Sequence, residues 1–131
     1  MVPWQVIFRD IDTFGHVNNA VYLTYFELAR TSLWLALTGG ARSTDVGFIV
    51  VRAECDFRHQ LSMEPIDIHV RIGDMRTTSF DTLYEIWTVD GRQLAAVGRV
   101  VVVLYDWAKQ HKTPITDELR HKVRMFQKVA E

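Results

Sequence analysis

The chain has 131 residues, which is enough for one domain with a single hydrophobic core. Hydrophobic residues make up 48% and charged residues 24%, values that exclude a wholly disordered protein. The net charge is −1 and the basic residues form no block, so nucleic acid is not expected as a partner. The lone Cys55 cannot form an internal disulfide, and no leader peptide or membrane-spanning apolar run is recognisable. We therefore expect a cytoplasmic protein without a membrane partner.

The chain begins with a predicted strand, a polar loop and a helix start. The strand covers Trp4–Arg9, and Gly15 interrupts the extended pattern in the loop that follows. Either Asn18 or Asn19 is suited to cap the next helix, because an Asn side chain can accept a hydrogen bond from a free N–H group of the first turn.

The helix is predicted to extend to about Thr38, where Gly39-Gly40 ends it. Most of its residues are apolar or aromatic. The exceptions form a narrow stripe of Thr24, Glu27, Thr31 and Thr38, with Arg30 beside it. A helix that is apolar almost all round is typically buried, so we expect this helix to lie inside the protein.

Four long strands are predicted after the helix. They cover Gly47–Arg58, Ile66–Ile72, Phe80–Val89 and Arg92–Tyr105. In the first of them, alternation predicts one apolar face, made of Ile49, Val51, Ala53, Cys55 and Phe57. The Asp90-Gly91 pair predicts a tight hairpin, and the apolar run Val100–Leu104 predicts a central strand. Thr116 is suited to cap a last helix.

The order of these elements indicates an α+β protein. One antiparallel sheet of about five strands, wrapped around the long helix and followed by a C-terminal helix, satisfies the pattern as a single domain over residues 1–131. Such a sheet has free edges that must be covered. A second copy of the chain would cover one edge, so we expect a homodimer or a homotetramer.

The polar loop brings together the groups that carbonyl chemistry requires. Asp10, Asp12, His16, Asn18 and Asn19 lie within ten residues and lead directly into the helix. N–H groups at a helix start have no partner within the helix and carry partial positive charge. The loop therefore predicts a site in which those groups hold a polarised carbonyl while a carboxylate acts on it.

This region resembles the 4-hydroxybenzoyl-CoA thioesterase-like branch of the hot-dog acyl-CoA thioesterases. The matching residues are Asp10-x-Asp12-x-x-Gly15-His16-Val17-Asn18-Asn19-x-x-Tyr22-x-x-Tyr25-x-Glu27-x-Ala29-Arg30. Weaker similarity continues in Phe57-Arg58, Thr78-Ser79-Phe80 and Tyr84-Glu85-Ile86. The segment His-Val-Asn-Asn also occurs in plant acyl-carrier-protein thioesterases, so the loop leaves open whether CoA or a carrier protein bears the acyl group.

The resemblance implies a role for three residues. Asp12 matches the catalytic carboxylate, either as a nucleophile or as a general base, and the backbone N–H of Asn19 matches the oxyanion donor. Gly15 matches the glycine that allows the tight turn. Without the resemblance, Asp12 is better interpreted as a loop residue that accepts hydrogen bonds from nearby backbone N–H groups.

The remaining candidates each have a structural alternative. His16 either orients Asp12 and donates to the substrate, or packs under the loop. The candidates for substrate contact are Gly15, Asn18, Tyr22, Tyr25, Glu27, Phe57 and His59. The alternatives are helix capping for Asn18, core packing for the two tyrosines and, for Glu27, a pair with Arg30 or Thr31 across the helix. Asp10 is interpreted as structural, with Arg9 or Arg30 as its expected partner.

Together these observations predict an acyl-CoA thioesterase that releases a free carboxylic acid and CoA. The spacing of the histidines and the cysteine shows no metal-ligand pattern, so neither a metal nor a redox cofactor is expected. Two alternatives stay open. One is a hot-dog enoyl-CoA hydratase or dehydratase that would use His16 with Glu27, and the other is an acyl-CoA binding protein without catalysis. The acyl group, the pathway and the choice between dimer and tetramer do not follow from the residues.

Overall fold

A computed structural model describes residues 1–39 and 46–130. In these ranges the strands are β1 (Val2–Gln5), β2 (Val46–Phe57), β3 (Pro65–Met75), β4 (Ser79–Thr88), β5 (Leu94–Asp106) and β6 (His111–Lys112). The helices are α1 (Asn19–Leu37) and α2 (Asp117–Ala130). Neither helix combines the length and the apolar character that crossing a lipid bilayer requires.

The described strands form one antiparallel sheet in the order β1-β3-β4-β5-β2, and the short β6 also pairs with β5. The strand β5 is an inner strand, as its apolar run predicts. The long helix α1 packs across one face of this sheet. The α+β hot-dog fold is therefore confirmed, with six strands where about five were predicted.

The middle of α1 rests directly on the sheet. The Phe26 ring is fully buried and stacks on the Tyr84 ring with 4.4 Å between the ring centroids. Gly98 of β5 lies beneath Phe26, where a Cβ atom would overlap the ring. The absence of a side chain at Gly98 thus sets how closely the helix approaches the sheet.

The prediction that α1 is buried on all sides is wrong for the single chain. Leu23 is 44% exposed and Leu35 is 41% exposed, because one sheet covers only one side of a helix. Conversely, Arg30 is only 7% exposed. Its Nη1 donates to the Tyr84 hydroxyl at 3.1 Å, while its Nε has no partner among the described residues. A residue predicted beside the polar stripe therefore belongs to the core.

The first strand lies earlier than the predicted Trp4–Arg9. Its pairing with β3 ends where Gln5 faces Pro65, the first residue of β3. The Val6 N–H still donates to the Glu64 carbonyl at 3.0 Å, but the pairing with β3 does not continue beyond this point. Phe8–Asp10 accordingly form a short 3₁₀ turn that leads into the polar loop.

The predicted alternation of β2 fails at a bulge. Val50 pairs with Val102 whereas Arg52 pairs with Val101, so Val51 is an extra residue. Phe48 faces α1, since its ring lies 5.2 Å from that of Trp34, and Ile49 therefore points to the opposite face. Only the second half of the predicted apolar face, which ends at Phe57, follows the expected pattern.

The turns, caps and helix ends of the other elements lie at or within one residue of their predicted positions. The turn between β4 and β5 has positive φ at Gly91 and Arg92, one residue later than the predicted Asp90-Gly91 pair. The Thr116 hydroxyl accepts from the Leu119 N–H at 3.1 Å and caps α2 as predicted. The helix α1 ends at Leu37, close to the predicted Thr38, and the predicted stop residue Gly40 lies outside the described residues.

The sheet face opposite α1 carries an ion-pair cluster around Asp81. This carboxylate is almost fully buried and accepts from Arg76 at 2.6 Å and from Arg99 at 3.2 Å. Arg99 also contacts Glu54 at 3.2 Å. Burial by itself raises the pKa of Asp81, but the hydrogen bonds and charges of Arg76 and Arg99 outweigh burial, and the net pKa lies below its ordinary value.

Replacing Asp81 by Asn is expected to reduce the free energy of unfolding at pH 7 by about 1–2 kcal/mol. Because the pKa of Asp81 is lowered in the folded state, its contribution is complete above about pH 4, its unfolded value, and is lost as the pH falls further. The difference in the free energy of unfolding between wild type and Asp81→Asn should therefore be smaller at pH 3 than at pH 7. Urea unfolding at the two pH values measures it, with the exposed Asp74→Asn as control. An equal difference at both pH values would contradict this assignment.

Candidate active site

The polar loop between the 3₁₀ turn and α1 is held in a compact shape by its own backbone. Ile11 and Val17 form an isolated antiparallel bridge, and the Asp12 N–H donates to the His16 carbonyl at 2.9 Å. At the tip, Gly15 has a φ of +83°, a conformation that L-residues with side chains rarely adopt. The Val17 N–H donates to the Leu61 carbonyl at 2.8 Å, so the loop is also tied to the segment that precedes β3.

The Asp12 carboxylate has one oxygen engaged in the loop. Its Oδ1 accepts from the Phe14 N–H at 2.8 Å and from the His16 N–H at 3.4 Å. This is the loop-stabilising role that the sequence offered as the alternative to catalysis. Within the described part of the chain Oδ2 has no hydrogen-bond donor, so it is available to a ligand. The two roles are therefore compatible, one for each oxygen.

The start of α1 leaves one N–H group open. The Asn18 side chain accepts from the Ala20 N–H at 2.9 Å, which identifies Asn18 as the cap. The Asn18 N–H donates to the Asp10 carbonyl at 3.1 Å, and the Val21 N–H donates to the Asn18 carbonyl at 2.9 Å. Between these groups, the Asn19 N–H has no protein acceptor in residues 1–39 and 46–130. It belongs to a helix end that carries partial positive charge.

Replacing Asn18 by Ala is expected to lower the free energy of unfolding by about 1 kcal/mol, because the variant loses the cap on the Ala20 N–H. Asn19→Ala is the matched control, since the Asn19 side chain makes no hydrogen bond with the described residues and the change should cost much less. Thermal unfolding of both variants measures the difference. Equal destabilisation by the two changes would contradict the capping assignment.

A cavity of about 410 Å³ opens beside this loop. Its lining residues are Asp12, Phe14, His16, Val17, Asn19, Tyr22, Phe57, Arg58, His59 and Gln60. The loop and the start of α1 form one wall, and the end of β2 forms the other. The cavity therefore contains the carboxylate, an imidazole and the helix N-terminus that the sequence predicted to meet.

The apolar side of the cavity is formed by two aromatic rings. Tyr22 of α1 packs edge-on against Phe57 of β2, with 4.9 Å between the ring centroids. Burial raises the pKa of Tyr22 to about 12, so its phenol stays protonated at neutral pH and can donate a hydrogen bond. Phe14, which is 84% exposed, stands at the loop tip.

The polar wall follows from the way the chain leaves β2. The N–H groups of Arg58 and His59 both donate to the Ala95 carbonyl, at 2.8 Å and 3.1 Å. This shared acceptor ends the strand and directs Arg58, His59 and Gln60 to the cavity. No described carboxylate forms an ion pair with Arg58.

The structure brings together six of the residues singled out in the sequence. Asp12, His16, Asn19, Tyr22, Phe57 and His59 line the cavity. Four do not line it, namely Gly15, Asn18, Tyr25 and Glu27. Tyr25 is 1% exposed, and Glu27 lies on the exposed side of α1. Phe14, Val17, Arg58 and Gln60 were missed, although the polar run directly after an apolar strand was a usable signal for Arg58 and Gln60.

Asp10 also differs from its prediction. Its carboxylate accepts from the Tyr25 hydroxyl at 2.7 Å rather than pairing with Arg9 or Arg30. Arg30 lies about three turns along α1 from Asn19, which is too far to reach Asp10. Tyr25 lies about two turns from the helix start and reaches it. Asp10 therefore links the loop to the helix.

A larger cavity, of about 530 Å³, is lined by residues of β2, β3, β4 and β5, among them Glu54, Arg71, Glu85 and Arg99. It lacks a free helix N-terminus. Cys55 also borders it, and burial raises the pKa of this thiol to about 11, so the thiolate is scarce at neutral pH. The smaller cavity at Asp12 is thus the better candidate for chemistry.

The chain is similar to known thioesterases in sequence and in fold. The family model of the thioesterase-like superfamily matches residues 6–123. The uncharacterized protein YsmA of Bacillus subtilis strain 168 is 27% identical over 115 residues, which cover 87% of this chain and 78% of YsmA. A thioesterase superfamily structure from Jannaschia sp. CCS1 is 26% identical, with a TM-score of 0.84, and the match covers 93% of this chain and 79% of that one. Slr0204 of Synechocystis, a 1,4-dihydroxy-2-naphthoyl-CoA thioesterase, is 20% identical with a TM-score of 0.81, over 96% of each chain.

Proposed function

This chain belongs to the thioesterase-like superfamily, and from that membership we propose that it hydrolyses an acyl-CoA to a free carboxylic acid and CoA. The observation that carries the proposal is that Asp12 lines one cavity together with Asn19, whose N–H has no acceptor among the described residues. A thioester carbonyl bound between them would meet an electrophilic donor and a carboxylate at the same time. The structural relative Slr0204 acts on an aryl-CoA thioester, which places aromatic acyl groups among the first to test.

In the proposed mechanism the Asn19 N–H holds the carbonyl oxygen. As the carbon is attacked, this oxygen becomes an oxyanion, and the N–H at the positive end of α1 stabilises the added charge. One preorganised donor of this kind contributes a few kcal/mol to the transition state. Because the group belongs to the backbone, Asn19→Ala should leave the reaction largely intact.

Asp12 has two possible roles that use the same free oxygen. As a general base, it takes a proton from water while the water oxygen bonds to the carbonyl carbon; the C–S bond then breaks and the proton passes to the departing thiolate. As a nucleophile, Oδ2 itself bonds to the carbon, CoA leaves, and water hydrolyses the resulting mixed anhydride. Mass spectrometry of enzyme quenched during turnover separates the two roles, since only the second forms an acyl adduct on Asp12.

The other lining residues suggest how the substrate is held. Tyr22 and Phe57 offer an apolar wall for the acyl group, and His16 can donate to the substrate beside Asp12. Arg58 and His59 are donors at the exposed end of β2, where the CoA moiety would leave the cavity. We assign no metal or redox cofactor to this reaction, because hydrolysis requires only water, a carboxylate and the oxyanion donor.

The proposed enzyme works as a homodimer, or as a homotetramer built from two dimers. The strand β2 lies at the edge of the sheet and leaves Val50, Val51 and Phe57 exposed. Since Phe57 also lines the cavity, a second copy paired along β2 would enclose the substrate. Light scattering of the purified 15.2 kDa chain tests this assembly, and a monomeric mass would contradict it.

Release of free thiol from a panel of acyl-CoAs tests the proposed function. The panel should pair aryl with short, branched and long-chain acyl groups, and each acyl group should be offered on CoA and on acyl carrier protein. Turnover of at least one thioester is expected. Hydration of an enoyl-CoA without thiol release would favour the hydratase alternative, and acyl-CoA binding without any reaction would favour the binding-protein alternative.

A further inference from the structure

Asp10 lies outside the cavity but holds the part of the chain that forms it. Its Oδ2 accepts from the Tyr25 hydroxyl at 2.7 Å and from the Ile7 N–H at 3.4 Å. The backbone carbonyl of the same residue accepts from the Asn18 N–H at 3.1 Å. Asp10 is therefore hydrogen-bonded to the segment that follows β1, to the cap residue of α1 and to the second turn of α1.

These attachments bracket the two groups of the proposed reaction. Asp12 is two residues after Asp10, and Asn19 directly follows the Asn18 that Asp10 holds. Tyr25 belongs to α1, is 1% exposed and lies in the hydrophobic core of the protein. Asp10 thus joins the loop that carries the carboxylate to the helix that carries the oxyanion donor.

We infer that the Asp10–Tyr25 hydrogen bond is a positioning device that sets the separation of the Asp12 carboxylate and the Asn19 N–H. This inference rests on the proposed function for its catalytic consequence. Misplacement of a reacting group by about 1 Å can reduce a rate by on the order of a hundredfold. Neither residue touches the substrate in this assignment; both act through Asp12 and Asn19.

The chemistry of the pair suits a permanent link. Tyr25 is the donor and needs its proton, and burial, followed by the hydrogen bond to Asp10, raises the pKa of Tyr25 above its ordinary value. The phenol therefore remains a donor throughout the neutral range. The acceptor can be neutral or charged, so an amide oxygen at position 10 would preserve the link.

Kinetic variants test the inference. Tyr25→Phe and Asp10→Ala are each expected to lower kcat by about 10- to 100-fold, with KM for the same acyl-CoA changed by less than about threefold. Asp10→Asn should recover most of the lost kcat. The double variant should be no slower than Asp10→Ala alone, because that change already removes the bond that Tyr25→Phe removes. Tyr105→Phe, which removes a hydroxyl remote from the loop, is the matched control.

Hydrogen exchange supplies a readout that does not require turnover. The hydrogen-bonded amides between residues 10 and 18, such as those of Asp12, Val17 and Asn18, should exchange at least tenfold faster in Tyr25→Phe than in wild type, with the sheet amides unchanged. Unaltered exchange in that segment would overturn the inference, and so would a kcat within twofold of wild type in Tyr25→Phe. An Asp10→Asn variant as slow as Asp10→Ala would overturn it as well. If wild type hydrolyses no thioester, the proposed function fails, and the exchange measurement still decides the link.

Discussion

Asp12→Asn should lower kcat for the best acyl-CoA by a hundredfold or more. General-base or nucleophilic assistance by a positioned carboxylate contributes factors of this size, and an amide can supply neither. The choice of Asn matters because Asp12 Oδ1 also accepts from the Phe14 and His16 N–H groups. An Asn side chain keeps an oxygen for these bonds, so the loop is preserved while the chemistry is removed.

Two comparisons make the Asp12 experiment decisive. Asp12→Ala removes the loop hydrogen bonds as well as the carboxylate and should be at least as slow as Asp12→Asn. Asp90→Asn makes the same chemical change in the exposed turn between β4 and β5 and should keep wild-type kcat. If Asp12→Asn retained more than about a tenth of wild-type turnover, Asp12 would be only a loop residue and the catalytic group would lie elsewhere.

Gly98→Ala is expected to cause a large loss of stability, because the added methyl group meets the closest contact found at any described glycine. The added Cβ would overlap Cε2 and Cζ of Phe26, a ring that is fully buried and stacked on Tyr84. Overpacking of this kind costs about 1–3 kcal/mol and occasionally more, and the upper end applies because both rings are confined. Urea or thermal unfolding of the variant measures the loss.

A second substitution shows whether the overlap is the cause. Phe26→Leu shortens the group above Gly98, so the double variant Gly98→Ala/Phe26→Leu should be less destabilised than the sum of the two single changes. Gly73→Ala is the matched control, because its nearest neighbour, at 3.0 Å, is the mobile end of Leu83. Additive losses in the double variant would show that α1 does not rest on Gly98.

The exposed side of α1 and the edge strand β2 explain an apparent conflict between sequence and structure. The apolar sequence of α1 indicates burial on all sides, yet Leu23 and Leu35 are exposed in the single chain. Val51 of β2 was likewise predicted on an apolar face and is exposed in the single chain. The proposed dimer would cover these positions, and the prediction of a buried helix would then describe the assembly rather than the single chain.

The parts of this protein that the sequence by itself determines are those decided by near neighbours. The cap at Asn18, the turn at Gly15 and the cap at Thr116 each depend on hydrogen bonds or backbone angles within a few residues. The alternation of apolar and polar residues in the strands is local in the same sense. Together with the loop motif, it was sufficient to predict the hot-dog fold. The loop residues Asp12, His16 and Asn19 could be grouped beforehand because they lie on one short segment.

What only the tertiary structure decides depends on contacts between distant segments. The bulge at Val51 follows from the register of β2 against β5, and the burial of Arg30 follows from the position of Tyr84 on β4. The polar wall at Arg58 comes from an acceptor at Ala95 on another strand. The Asp10–Tyr25 bond likewise joins residues 15 positions apart. Such pairings are set by how the helix and strands pack, and no local pattern of residue types specifies which partners meet.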